Sequence, residues 1–254
     1  MVEDKDDAKE EIRINNIIKE HNPPIPYVIK LIKEGTGDFI RGEKHYEKQR
    51  YFILEYASKG DLYKYIKIPD RGFGEDCGKL LFYKILLGIK GCHSAGVFHL
   101  DLKIENIVID ENDGKYNPKI CDFGLATDDK GELDRFAGTL SYEPPQLIEG
   151  KNYTGEKADI FYLGSMLFII VVGKPCFLLA DGKDYFYGRI KENNLPEYFN
   201  RIQNTINSFN TLSQEFKYLF ASMLAYEEEN RPPLDAIMNN SWFDDIRNDK
   251  KKRK

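Results

Sequence analysis

The sequence predicts an α+β fold with two lobes, a small mixed lobe followed by a larger lobe made mainly of helices. Short strand-like runs lie in the first quarter of the 254-residue chain, whereas apolar residues at helical spacing dominate from about residue 75 onward. A polar stretch that contains glycine, residues 57–60, separates the two patterns. We therefore expect a small lobe over residues 1–56, a helical lobe over residues 57–246 and a basic tail over residues 247–254.

The small lobe begins with a predicted helix at residues 8–20. Its isoleucines at 12, 14, 17 and 18 fall near one face, and the run HNPPIP at residues 21–26 ends it. Residues 27–32 (YVIKLI) and 51–56 (YFILEY) have the apolar and aromatic composition of strands. The polar, glycine-containing stretch between them is expected to be a hairpin connection or a loop.

The larger lobe begins with a short predicted helix at residues 61–66 and a long one from residue 75 to a stop at Gly96. Residues 107–109 and 119–121 are predicted strands, and residues 112–114 (NDG) between them are typical of a tight turn. Apolar residues at helical spacing predict the remaining helices, at residues 158–172, 212–226 and 233–240.

Composition excludes several classes of protein. The formal charge of −5 and the isoelectric point near 5.6 argue against a general nucleic-acid binder. The most apolar run, residues 162–172, is too short to span a membrane. Four cysteines lie far apart without a C-x-x-C pair, which favours reduced thiols in the cytoplasm, or in the nucleus, over a disulfide framework or a zinc site. The basic residues 250–254 are either a solvated end or a nuclear signal.

The strongest chemical signal is the run HLDLKIEN at residues 99–106, followed sixteen residues after Asn106 by DFG at residues 122–124. Phosphoryl transfer needs cations on the phosphates, ligands for those cations and a group that orients the attacking hydroxyl. A carboxylate at Asp101 and an amide at Asn106 can face one reacting centre from a tight loop. A second carboxylate, Asp122, can complete a site of hard oxygen ligands, which magnesium prefers. Singly, each of these residues is more often a loop cap.

These residues resemble the catalytic motifs of the eukaryotic protein kinase superfamily, whose pattern H-R-D-L-K-x-x-N is matched at every position except the second. The resemblance implies that Asp101 accepts the proton of the substrate hydroxyl and that Asn106 and Asp122 hold magnesium. It also implies that Lys103 neutralises the transferring phosphate, as is typical of Ser/Thr kinases. Thr139, in the run GTLSYEPPQ at residues 138–146, is expected to bond Asp101 and Lys103.

The same resemblance places the nucleotide between the two lobes. The backbone of Glu55 and Ala57 would bond adenine, and Asp61 would face the ribose or the substrate. Val108 would lie beneath adenine, although a plain core valine is equally compatible with the sequence. Glu105 is placed with these residues and, together with Asp61, could receive a basic residue of the substrate.

Beyond the cleft, Asp159 resembles the aspartate that braces the catalytic loop. Residues 241–243 (SWF) resemble the closing helix of the calcium/calmodulin-dependent group. A calmodulin-binding helix is not visible in the sequence, so a calmodulin-like regulator is not expected.

The chain departs from the pattern at its beginning. A glycine-rich loop and the lysine of V-A-I-K do not precede residue 10, and the glutamate that pairs with this lysine, Glu11 or Glu10, lacks a visible partner. We expect the helix at residues 8–20 to pack on a sheet with too few strands, which leaves apolar surface exposed. A truncated fragment or gene model explains this better than a natural short form.

Further departures concern regulation and bracing. Leu100 replaces the arginine before Asp101, and Arg135 occupies the usual site of an activating phosphothreonine, so we expect a kinase that does not need phosphate at Thr127 or Thr139. Gln146 replaces the glutamate that pairs with Arg231, and its amide can still hydrogen-bond the guanidinium. Cys121, before Asp122, is either a reactive thiol or, more in keeping with its type, a small buried hydrophobe.

The function that follows is transfer of the γ-phosphoryl group of ATP, with magnesium, to serine or threonine of a protein substrate. The alternative is a pseudokinase or truncated fragment that acts as a binding module without turnover. The missing lysine and glycine-rich loop support this alternative. The presence of the expected catalytic residues argues against it, namely Asp101, Lys103, Asn106 and Asp122.

Overall fold

The computed structural model describes residues 5–66, 72–135 and 138–252. The N-terminal part consists of helix α1 (Lys5–Glu20) and a single antiparallel hairpin of β1 (Leu31–Arg41) and β2 (Lys44–Leu54). The elements that follow are α2 (Tyr63–Ile66), α3 (Gly74–Ser94), β3 (Ile107–Asn112), β4 (Lys115–Ile120), β5 (Glu132–Leu133), α4 (Pro145–Ile148), β6 (Tyr153–Thr154), α5 (Gly155–Val172), α6 (Tyr187–Lys191), α7 (Leu195–Thr205), α8 (Gln214–Met223), α9 (Leu234–Met238) and α10 (Asp244–Lys252).

The prediction for residues 27–56 was wrong in the placement of its strands. The polar stretch expected to be a connection or loop forms most of a long hairpin, which pairs Leu31 with Leu54 at its base and Arg41 with Lys44 beside its turn. The turn includes Gly42, whose φ of +60° suits glycine. Both faces of this two-stranded ribbon are largely exposed, so its strands carry little of the apolar alternation that marks a strand in sequence.

Helix α1 buries its apolar face as its spacing predicts. Ile12, Ile14 and Ile18 are buried, and Ile14 and Ile18 join the main core. The exposed apolar surface of this region lies instead on the hairpin, where Ile40 is 73% exposed and Ile32 is 59% exposed. The expectation of uncovered apolar surface is therefore met on the strands and not on the helix.

The hairpin of β3 and β4 joins the N-terminal part to the helical part. Its turn lies at Asp113 and Gly114, both with positive φ, as the sequence predicts. The Ile29 N–H donates to the Ile120 carbonyl, and the Ile120 N–H donates to the Tyr27 carbonyl, both at 2.9 Å. These two bonds form a short parallel β-bridge. Gly60, at the start of the helical part, accepts from the Ile109 N–H at 2.7 Å.

Helix α5 is the centre of the helical part, and nearly all of its side chains are buried. It packs against α3 on one side and α8 on another. Gly164 allows the close approach to α8, because a Cβ at this position would lie 2.9 Å from Cβ of Met223. The helix ends at Gly173 in the left-handed conformation, φ +84°.

The last described helix extends into the residues predicted to form a basic tail. Helix α10 begins at Asp244 and continues to Lys252, so most of residues 247–254 is helical, while residues 253–254 lie outside the described residues. Across the ranges that the structure describes, every helix is too short or too polar to cross a lipid bilayer.

Candidate active site

The loop that carries Asp101 is held in place by a buried carboxylate. Asp159 of α5 is completely buried, and its two oxygens accept from the backbone N–H of His99 at 2.9 Å and of Leu100 at 2.8 Å. Leu100 has a φ of +61°, a conformation that a branched side chain adopts only where its surroundings enforce it. His93 lies 2.8 Å from the same carboxylate. The brace that the sequence predicts at Asp159 is therefore present.

Asp101 lies in a cluster of short contacts with three other predicted catalytic residues. Lys103 Nζ donates to Asp101 Oδ2 at 2.7 Å and to Thr139 Oγ1 at 2.8 Å. Thr139 Oγ1 in turn donates to Asp101 Oδ1 at 2.8 Å. Asn106 Nδ2 donates to the Asp101 carbonyl at 2.9 Å and to its Oδ2 at 3.1 Å. Both carboxylate oxygens of Asp101 are thus oriented, which suits a base that must face one hydroxyl.

Asp122 lies on a loop next to this cluster without bonding it directly. The N–H of Cys121, its neighbour, donates to the Asn106 carbonyl at 2.9 Å, and this bond joins the two loops. Asp122 has a φ of +65°, is exposed and accepts from the Gly124 N–H at 3.3 Å. Phe123 is buried, with its ring centroid 4.8 Å from that of His99.

The oxygen donors of this site fit a magnesium ion that carries nucleotide phosphates. Asn106 uses its Nδ2 on Asp101, so its side-chain oxygen takes no part in those two bonds, and the Asp122 carboxylate is exposed. Magnesium commonly takes one or two protein oxygens and completes its shell with phosphate and water. A cluster of three or more His, Cys, Asp or Glu that could hold a metal by itself is absent from the residues that the structure describes.

The structure distinguishes between the two glutamates of α1. Glu11 is 7% exposed, and its Oε2 and Asp122 Oδ1 both approach the space beside Gly124. Burial, and then the negative charge of Asp122, raise the pKa of Glu11 to about 7. Within the described part of the chain, the Glu11 carboxylate has neither a hydrogen bond nor an ion pair. Glu10 instead pairs with Arg13 at 2.6 Å, so Glu11 is the glutamate that faces the site.

Glu55 and Ala57, which are predicted to contact adenine, lie in the segment between β2 and α2. The Glu55 N–H already donates to Lys30 at 2.9 Å, which leaves its carbonyl as the backbone group for adenine, and its side chain pairs with Lys119. Ala57 is half-buried in the same segment. The contact of the Glu55 and Ala57 backbone with adenine stays a prediction.

Asp61 has a structural role in addition to any contact with the nucleotide. Its Oδ1 accepts from the Lys64 N–H at 3.0 Å and so caps α2. An antiparallel β-bridge joins its backbone to that of Val108, which is half-buried. This position is compatible both with a valine beneath adenine and with a plain core valine. Glu105 is exposed and lies on the side of Thr139, where burial, together with the charge of Glu105, raises the pKa of Tyr142. Glu105 therefore lies within electrostatic reach of Tyr142, and its contact with nucleotide or substrate stays a prediction.

Gln146, which replaces the expected bracing glutamate, still bonds Arg231. Arg231 is almost fully buried and donates to Gln146 Oε1 at 2.6 Å, the bond expected of the amide. Backbone carbonyls of Ala225 and Lys157 accept its other N–H groups. Burial of the guanidinium lowers the pKa of Arg231 to about 10.

Cys121 is half-buried beside Asp122. Burial, and then the charge of Asp122, raise the pKa of Cys121 to about 12, so the thiol stays protonated at neutral pH. Its sulfur lies 3.4 Å from the Asn106 carbonyl. This favours the small hydrophobe over the reactive thiol.

Sequence reasoning missed one contact that links α1 to the segment after Asp122. Arg13 donates from both terminal nitrogens to Asp128, at 2.8 Å and 2.7 Å. The two residues are 115 positions apart, and neither belongs to a recognisable motif, so only the folded chain reveals the pair.

Known proteins match this chain over most of its length. A family model described as protein kinase domain matches residues 2–243. The protein named CBL-interacting protein kinase 26, from Oryza sativa subsp. japonica, is 34% identical over 199 residues, which are 76% of this chain and 37% of that protein. CBL-interacting serine/threonine-protein kinase 2 of Arabidopsis thaliana is 33% identical over 199 residues, 76% of this chain and 40% of that protein.

A longer match covers more of the chain. CBL-interacting protein kinase 11 of Oryza sativa subsp. japonica is 30% identical over 242 residues, 92% of this chain and 42% of that protein. The chain therefore spans about two fifths of the length of these curated relatives.

Proposed function

The chain belongs to the protein kinase domain family, and we propose that it transfers the γ-phosphoryl group of ATP to serine and threonine hydroxyls of protein substrates. One observation carries the proposal: Lys103 and Thr139 hold the Asp101 carboxylate from both of its oxygens. An acceptor hydroxyl that reaches this carboxylate is oriented by it and gives up its proton to it.

The other residues of the cluster handle negative charge. Lys103 lies beside the acceptor position, where its ammonium can neutralise the transferring phosphoryl group. The oxygens of Asn106 and Asp122 would hold magnesium, which when bound supplies positive charge to the phosphates. Asp159 keeps the loop in one conformation, so the geometry of the site does not have to be reorganised for each turnover.

Specificity for serine and threonine is proposed on two grounds. Lys103 lies two residues after the catalytic aspartate and shares Thr139 with it, which supports the Ser/Thr reading of the motif. The similar protein from Arabidopsis thaliana is named a serine/threonine-protein kinase. We also propose, on residues 241–243, a likeness to the calcium/calmodulin-dependent group, without a calmodulin-like regulator.

A transfer assay with radiolabelled ATP and magnesium tests the proposal. Peptides that differ only in carrying serine, threonine or tyrosine as the acceptor are incubated with the chain and with its Asp101→Asn variant. We expect label on the serine and threonine peptides, and loss of that label in the variant. Label on tyrosine alone, or equal label with Asp101→Asn, would contradict the proposal.

A second candidate is a binding module that holds nucleotide without turnover. The observation in its favour is Glu11, a buried carboxylate to which the described residues present no cation. For this reason we expect weak ATP binding and slow turnover from this chain. Thermal shifts with magnesium and ATP distinguish the two candidates, because nucleotide binding with no detectable transfer would favour the second.

A further inference from the structure

A carboxylate that no motif assigns lies on the loop that joins Thr139, a partner of the proposed base, to α4. Glu143 is four residues after Thr139 and precedes Pro144, the residue before α4. Two turn bonds fix this short loop: the Tyr142 N–H donates to Thr139 at 2.8 Å, and the Glu143 N–H donates to Leu140 at 3.4 Å. Because Thr139 itself bonds Asp101, the loop has a fixed position relative to the proposed acceptor site.

The surroundings of Glu143 offer it little compensation for its charge. The side chain is half-buried, and its carboxylate has neither a hydrogen bond nor an ion pair among the described residues. Burial raises the pKa of Glu143, and so does the negative charge of Asp101, which places the two carboxylates within electrostatic reach of each other. The ammonium of Lys103 is bonded to Asp101 and Thr139 and not to Glu143, so Glu143 itself has no cationic partner among the described residues.

A partly dehydrated carboxylate beside a second one is unfavourable unless a cation joins it. The same loop exposes Leu140, which is 62% exposed and offers apolar surface beside the charge. A lysine or arginine side chain, with an apolar stem and a cationic end, matches this pair of features.

We infer that Glu143 is a specificity-determining residue that receives a lysine or arginine of the protein substrate close to the phosphorylated serine or threonine. The inference rests on the proposed function, because Asp101 marks where the acceptor hydroxyl lies. Because the loop of Glu143 is bonded to Asp101 through Thr139, we place the basic residue close to the acceptor, and an extended peptide, which advances roughly 3.3 Å per residue, is varied over three positions on either side.

Peptide binding to the full chain tests this inference without requiring turnover. Fluorescently labelled peptides carry one serine, with lysine, alanine or glutamate placed in turn at each of the three positions on either side. Fluorescence anisotropy gives the dissociation constant of each peptide for the wild-type chain. At one position at least, we expect the peptide with lysine to bind about three- to tenfold more tightly than the peptide with alanine. A gain of this size is typical of a partly exposed charge pair.

Three variants separate charge recognition from a structural role. Glu143→Gln should reduce the lysine preference to about one, and Glu143→Arg should make glutamate the preferred residue at that position. Glu215→Gln, an exposed glutamate in the first turn of α8, is the matched control and should behave as the wild type. The ratio of two dissociation constants within one variant does not depend on how much of the sample is folded.

Each outcome bears on the inference. A lysine preference that survives both Glu143 substitutions overturns it, and so does equal binding of all peptides by the wild type. Failure of the proposed function has a different signature, because basic peptides would then bind through Glu143 while the transfer assay shows no label. Conversely, phosphorylation of peptides with no preference that depends on Glu143 refutes this inference alone.

Discussion

Arg13 of α1 and Asp128 of the segment after Asp122 are joined by two hydrogen bonds, of 2.8 Å and 2.7 Å. Helix α1 also carries Glu11, so the pair joins the glutamate that faces the site to the loop of the predicted metal ligand. Arg13 bonds Glu10 as well, which gives its guanidinium two carboxylate partners. The helix and the segment are therefore expected to move together.

The first prediction concerns this pair. Arg13→Gln should lower the free energy of unfolding by less than about 1 kcal/mol, because both partners are nearly half exposed. Its local effect should be larger, with faster amide hydrogen exchange over residues 124–131. Arg50→Gln, which removes a similarly exposed pair with Glu34, is the control and should leave that exchange unchanged. Equal exchange in the two variants would show that the pair does not hold the segment.

The second prediction concerns Asp159. Asp159→Ala leaves two buried backbone N–H groups, of His99 and Leu100, without an acceptor. We expect a loss of about 3 kcal/mol or more in the free energy of unfolding, measured in urea. Asp235→Ala removes an exposed ion pair with Lys90 and should cost less than about 1 kcal/mol. Similar losses for both would contradict a bracing role.

Sequence reasoning located the central helices and the loop at residues 99–106 because each carries a dense, regular signal. The apolar spacing in α1, α3 and α5 reflects one face, or all faces, turned to the core. Asp101, Asn106 and Asp122 occur at fixed spacing in one loop and its neighbour. Where packing or a motif constrains the residues closely, the prediction came near the observed structure.

Other features lack such a signal. The hairpin of β1 and β2 is exposed on both faces, so its polar residues gave no alternation. Helix α7 was not predicted, although Tyr198, Phe199 and Ile202 have helical spacing and Pro196 lies in its first turn, a common position for proline at a helix start. Glu143 could not be found at all, since its position beside Asp101 depends on the folded path of the loop.

The third prediction concerns the pH dependence of stability. The pKa of Glu11 is raised from 4.5 to about 7 by burial and by Asp122, so the folded state favours the protonated acid. Its contribution to stability is complete below about pH 4.5 and is lost as the pH rises through about 7. At 1.4 kcal/mol for each unit, the loss approaches roughly 3 kcal/mol by pH 8.

Denaturation in urea between pH 5 and 8, with a chelator present, checks this expectation. Glu11→Gln should remove most of the decline and be more stable than the wild type at pH 8. Glu10→Gln is the control, because hydrogen bonding to Arg13 lowers the pKa of Glu10, and the decline should persist. A wild-type stability that is level from pH 5 to 8 would refute the assigned environment of Glu11.

The fourth prediction is that the chain does not need a phosphate in the segment after Asp122. Arg135 stands where a phosphothreonine is expected, and its guanidinium donates to the Leu125 carbonyl at 2.8 Å, while Tyr153 donates to the Arg135 carbonyl at 2.9 Å. Thr127→Val and phosphatase treatment should therefore leave transfer unchanged. Arg135→Ala should increase amide exchange around Leu125 and reduce transfer about fivefold, the effect of roughly 1 kcal/mol from one exposed hydrogen bond. Mass spectrometry that finds a required phosphate at Thr127 or Thr139 in active protein would overturn this account, because Arg135 would then not replace the phosphate.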